Sequence, residues 1–245
     1  MSVLPQKRRI YALCLIIFTS FSASYAQQRR RSPAAGQRAV VVDERLSALR
    51  DGPSLYARLL QRLSRGRVLA ILGTRRSPEG LTFYSVAVTR RTRGWVQADA
   101  LVQPGRAGDD ERLLRLVAAS DDFDRIVRAR LFLETFPKSP LRPAALALYA
   151  GAAEEAAAKL SREAARRLEE REMTAGGAPL FSYFLNYSGL DRYRRQEIVF
   201  TFDAARKQFY YDGSAWREIL RRYPQSPEAA EARRRLETSE ANKGR

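Results

Sequence analysis

The feature that most restricts this chain is a change of hydrophobic period near residues 104–108. Before it, apolar residues come in short runs rich in β-formers: Val40-Val41-Val42, Val68 to Leu72, Leu81 to Val88 and Trp95-Val96. Turn chemistry separates them at Asp51-Gly52-Pro53-Ser54, Ser64-Arg65-Gly66 and Thr89 to Gly94. Short strands at near-regular spacing with Gly at the turns predict a small barrel or sandwich. After the change, Leu113, Leu116 and Val117, then Phe123, Ile126, Val127 and Leu131, recur at the spacing of an amphipathic helix. Gly105 and Gly108 punctuate the switch. The expected fold class is α+β multidomain: a small β-barrel over residues 39–104, then an all-α domain over 109–245.

The N-terminus reads as an address. Lys7, Arg8 and Arg9 precede an apolar stretch of about 12 residues to Phe21, and Ser22-Ala23-Ser24-Tyr25-Ala26 supplies small residues for cleavage. The apolar stretch falls short of the roughly 20 residues of a comfortable transmembrane helix. Residues 1–26 are therefore expected to be a signal peptide, with an uncleaved anchor as the rival. Residues 27–38, with Arg29, Arg30, Arg31 and Arg38 among Gln, Ser, Pro and Gly, are expected to be a basic flexible linker. Cleavage after Ala26 removes Cys14 and leaves a mature chain without cysteine. The expected location is periplasmic or secreted, without stable membrane insertion after cleavage.

Composition narrows the chemistry. Lys and Arg number 44 against 27 Asp and Glu, a net charge of +17, and His is absent. No imidazole can act as base, acid or ligand, and one Cys cannot build a cysteine zinc site. The sequence holds no G-x-G-x-x-G, no P-loop and no Ser-x-x-Lys pair. Carboxylate pairs such as Glu154-Glu155 and Asp121-Asp122 are adjacent, and adjacent residues on a helix do not converge on one cleft. No catalytic, cofactor-binding or metal-binding residues are expected. Residues 39–104 carry 11 Arg against 5 acids, whereas 105–245 carry 26 basic residues against 22 acids. The excess thus lies in the linker and the first domain. A basic surface attracts anions, and export sets nucleic acid aside in favour of an anionic envelope polymer or phospholipid surface. The competing reading is a solvated surface in an arginine-biased chain.

An internal repeat organises the second half. Leu133-Glu134-Thr135-Phe136-Pro137-Lys138-Ser139-Pro140 aligns with Leu220-Arg221-Arg222-Tyr223-Pro224-Gln225-Ser226-Pro227. An aromatic ends one helix, Pro stops it, Ser can cap the next, and Pro suits its first turn. Ala144 and Ala145 follow in one copy, Ala229, Ala230 and Ala232 in the other. Between the copies, Thr174 to Pro179 breaks the long Ala-rich helix, and aromatics from Phe181 to Tyr187 crowd together. Residues 198–211 fit either a β-hairpin or a single helix, and the hairpin is the expectation. The aromatic cluster fits core packing better than a binding surface.

Two resemblances add to this. Arg50, Gly52-Pro53-Ser54, Leu59-Leu60, Arg65-Gly66, Val68 to Leu72, Phe83-Tyr84, Gly94-Trp95-Val96 and Leu101 follow the landmark order of a bacterial SH3-like domain. The repeated aromatic-Pro-x-Ser-Pro turn before an Ala-rich helix resembles the tetratricopeptide-like hairpins of exported envelope proteins. The resemblances imply a non-enzymatic binding and scaffold protein of the cell envelope. Its barrel would engage a cell-wall peptide or envelope protein, and its helices would dock a partner. By analogy the ligand face uses Tyr56, Tyr84 and Trp95, with core packing the competing role for Trp95 and Phe83. A structural factor held by charge on anionic polymer and a weak glycan-cleaving enzyme are the alternatives. Neither ligand, partner nor oligomeric state follows from the residues.

Overall fold

Val40, Val41 and Val42 show how the fold is layered, because consecutive strand residues point to opposite faces. Val41 packs into the core of a sheet, while Val40 and Val42 pack into the core of a helical layer. A run of consecutive β-branched residues is thus buried on both sides. A computed structural model describes residues 36–175 and 180–243. The expected leader, residues 27–35 of the linker and the break at 176–179 lie outside the described residues.

The sheet comprises β1 (Gln37–Val41), β2 (Ala48–Arg50), β3 (Leu59–Arg62), β4 (Val68–Arg76), β5 (Thr82–Ala87), β6 (Arg93–Gln97) and β7 (Leu101–Val102). All its pairings are antiparallel, in the order β3-β2-β6-β5-β4-β1-β7. The expected barrel is corrected to an open sheet. β3 pairs only with β2, its four residues are all exposed, and β7 is only two residues long before the chain leaves for the helices. Leu49, Leu69, Val86, Val96 and Leu101 form the sheet's own core. Gly94 is required where β2 meets β6, since a Cβ there would sit 2.6 Å from the Arg50 carbonyl oxygen.

The switch from strand to helix falls between Val102 and Asp109. Helix α1 (Asp109–Ala118) opens with Asp109, Asp110 and Glu111, whose charges suit the positive helix end. The buried Asp109 carboxylate accepts the Gln103 N–H at 2.7 Å, which ties the end of the sheet to the helix start. Next come α2 (Asp122–Thr135) and the 34-residue α3 (Arg142–Ala175). They are followed by α4 (Leu180–Leu185) and α5 (Asp191–Arg194), then β8 (Phe200–Asp203) and β9 (Gln208–Tyr211), and finally α6 (Ser214–Arg222) and α7 (Glu228–Lys243). Val40, Val42 and Val102 share one hydrophobic cluster with Leu113, Ile126 and Phe132, so sheet and helices meet in a common core and form one compact unit.

The repeat in the sequence is a repeat in geometry. Phe136 N–H bonds to the Phe132 carbonyl and Tyr223 N–H to that of Ile219, each closing its helix. Ser139 N–H then bonds to Phe136 O and Ser226 N–H to Tyr223 O, at 3.2 and 3.0 Å. Ser139 Oγ accepts from Leu141 N–H, as a cap should, whereas Ser226 Oγ is buried without a partner among the described residues. Residues 198–211 contain the β-hairpin, β8 paired with β9. It is seated on α3 by Ser161, whose Oγ accepts the Phe209 N–H at 2.8 Å and donates to the Ala157 carbonyl. Phe184 stacks on Phe202 with centroids 4.5 Å apart, and Phe184, Tyr187, Tyr193 and Phe209 are all buried, so these rings are packing. Among the described residues, no helix is long and apolar enough to cross a membrane.

Candidate functional site

Strand register decides where the expected ligand residues point. Tyr84 lies opposite Val96, so the two share a face, and both belong to the sheet core. Tyr84 is 8% exposed, and its hydroxyl accepts from Gln103 Nε2 and Arg106 Nη1 at 3.2 and 2.7 Å. It joins the sheet to the segment leading into α1. Trp95, one residue before Val96, takes the other face. Phe83, beside Tyr84 in β5, also takes that other face and is fully buried. The three expected aromatics therefore do not form one surface: Trp95 and Tyr84 are back to back.

Around Trp95 a different set assembles. Arg50 of β2 lies opposite it on one side and Ser85 of β5 on the other, with Gly73 of β4 beyond Ser85. A Cβ at Gly73 would meet nothing within 4 Å, so small residues leave the half-buried indole with open space alongside. Arg75, two residues from Gly73, places its guanidinium carbon 5.8 Å from the Trp95 ring centroid. That is cation–π distance. Arg93 stands two residues before Trp95 on the same strand face and is exposed. Tyr56 sits in the β2–β3 loop at 89% exposure. That loop is tied to the site because Arg50 Nη1 donates to the Ala57 carbonyl at 2.7 Å. Its other end is pinned by Ser54 Oγ, which donates to Glu79 Oε1 at 3.1 Å.

The face is electropositive. In the sheet, Arg45, Arg58 and Arg65 pair with carboxylates. Arg50, Arg75 and Arg93 have no carboxylate partner among the described residues. The donors of Arg75 and Arg93, and those of Arg50 other than the Nη1 bonded to Ala57, remain available to a carboxylate or carbonyl-rich ligand. No group of three or more His, Cys, Asp or Glu among the described residues is arranged to hold a metal ion. The sequence reading names Trp95 and Tyr56 but not Arg50 and Arg75, which the sheet places beside Trp95. Arg50 is visible in the sequence as a landmark beside the Gly-Pro-Ser turn, whereas nothing local marks Arg75. No family model, curated protein or solved structure matches the chain.

Proposed function

We propose that this chain is a non-enzymatic, exported binding and scaffold protein of the bacterial cell envelope, an SH3-like module followed by tetratricopeptide-like hairpins. The observation that carries the reading is the Trp95 face: a half-exposed indole with Arg75 against it, Arg50 and Arg93 without carboxylate partners among the described residues, and a floor of Gly73 and Ser85. Such a face suits a wall peptide or an extended protein segment carrying acidic or carbonyl groups. The test is retention of the exported chain on purified peptidoglycan at low and high salt. Retention that survives salt and is lost in Trp95→Ala and Arg75→Ala supports a specific ligand. Equal retention of the variants refutes the role of this face. A second reading, a structural factor held by charge on anionic polymer, draws on the arginines without carboxylate partners. It requires retention that fades as salt screens the surface. Export itself is tested by mass measurement of the mature protein, expected to begin at Gln27; a chain retaining Met1 in the membrane fraction contradicts it.

A further inference from the structure

Where the sheet meets the helices there is a polar cleft of about 600 Å³. Asp43, Glu44 and Arg45 line it from beyond β1, Arg65 from the β3–β4 turn, and the α1–α2 junction closes it together with Arg128. Its carboxylates are all engaged. Arg45 holds Asp43 through two nitrogens at 3.1 and 2.8 Å, and Glu44 accepts the Arg65 backbone N–H at 2.8 Å. Asp121 pairs with Arg125, Asp122 with Lys159 and Asp124 with Arg65, at 3.4, 3.1 and 3.2 Å.

Arg128 is left over. It is 9% exposed, its Nη1 donates to Ser120 Oγ, its Nε is buried without a partner, and no described carboxylate pairs with it. Arg65 Nε is also buried without a partner. Burial first, and then the nearby Arg65 charge, push the Arg128 pKa down from its ordinary value. Asp124 and Asp43 attract the Arg128 charge without pairing with it, and a buried charge that lacks a paired, hydrogen-bonded partner is costly; an unsatisfied buried donor of this kind calls for an explanation such as a bound water or ion. An anion in the cleft would pair with the part of Arg128 that lines it, beside the Asp124-paired Arg65; the enclosed Nε atoms of both are beyond its reach.

The rim narrows which anion. The side chains of Asp121, Asp122 and Asp124 are 95%, 68% and 57% exposed and stand at the cleft's mouth. Though each is paired, with Asp43 and Glu44 they give the lining five carboxylates against the three arginines Arg45, Arg65 and Arg128, a balance that disfavours a multiply charged anion and admits at most one negative group on an otherwise neutral or cationic body. A cleft of this volume has room for several residues of peptide behind that group. We infer that the sheet–helix cleft binds the free C-terminal carboxylate of a short, non-acidic peptide, with Arg128 and Arg65 as its cationic floor. This site is independent of the Trp95 face.

The test is calorimetric titration of the intact chain with three probes: Ala-Ala-Ala with a free C-terminus, the same peptide as its C-terminal amide, and inorganic phosphate. The free acid is expected to bind saturably. The amide is expected to bind weaker by on the order of 30-fold or more, the loss that follows removal of one partner of a buried charge pair. Phosphate should bind worse than the free acid, and Asp121→Asn should narrow that gap. Arg128→Met is expected to abolish peptide binding while raising the melting temperature of the unliganded protein, because an uncompensated charge leaves the interior. Should that variant not fold, the acid–amide comparison on the native chain decides by itself. Failure of the free acid to bind, equal binding of the amide, phosphate matching the peptide, or peptide binding retained by Arg128→Met overturns the proposal.

Discussion

Phe136→Ala tests whether the repeated turn is a packing joint or a contact surface. Phe136 is 7% exposed and packs on Phe132 with ring centroids 5.5 Å apart, inside the cluster that also holds Leu146 and Tyr149. Truncating a buried Phe costs about 3–5 kcal/mol, from lost transfer energy and the cavity left behind. For a chain of this size each kcal/mol lowers the melting point by about 2–4 °C, so a fall of roughly 6–20 °C is expected. Tyr223 occupies the equivalent place, 87 residues later, but is only half-buried. Tyr223→Ala should therefore cost less. Arg222→Ala is the control: its side chain is 57% exposed and its pair with Glu218 is on the surface, so the expected change is within about 0.5 kcal/mol. The assay is thermal melting of the intact chain followed by far-ultraviolet circular dichroism. Melting points unmoved by both aromatic changes, together with lost partner capture, would mean the rings are exposed contacts and the packing argument is wrong.

Three further outcomes follow from the geometry. Ser161→Ala leaves the Phe209 N–H buried without its acceptor and should cost about 1–3 kcal/mol in urea unfolding; an unchanged midpoint would mean the hairpin is not held by this bond. Glu154 accepts from Trp216 Nε1 at 2.8 Å and pairs with Arg235 at 3.0 Å, yet burial outweighs both and holds its carboxyl above the ordinary 4.5. The native state therefore binds more protons than the unfolded chain just above pH 4.5, and stability falls as pH rises through that window. Glu154→Gln should flatten this decline in urea midpoints taken from acidic to neutral pH, and an unaltered pH profile would contradict it. Finally, an isolated 39–104 fragment should be mainly β by circular dichroism but melt below the intact chain. Separation from the helices uncovers Val40, Val42 and Val102, each worth about 1.5–3 kcal/mol when buried, as an upper bound. Equal stability of fragment and intact chain would show that the common core is unimportant to the sheet.

What the amino-acid sequence determined by itself is local. The strand-to-helix switch is written in hydrophobic period, and the turn at Phe136 and Tyr223 in an aromatic, two prolines and a serine. The bonds that build that turn span only three or four residues, so no distant partner is needed to specify it. The β8–β9 hairpin was legible for the same reason, though not to the exclusion of a helix, because short apolar runs serve either period. Tertiary structure decided the rest. A shift of one residue in register exchanges the faces of a strand, so only the pairing of Tyr84 with Val96 turned Tyr84 inward and Trp95 outward. The Arg75–Trp95 contact spans three strands, and only the sheet brings it together. The cleft makes the point most sharply. Asp124 and Arg128 stand four residues apart on α2, the spacing of a helical ion pair. The fold instead turns Asp124 to Arg65, 59 residues away. Arg128 is left buried with no carboxylate paired to it because the geometry of packing, and not proximity along the chain, assigns each charge its partner.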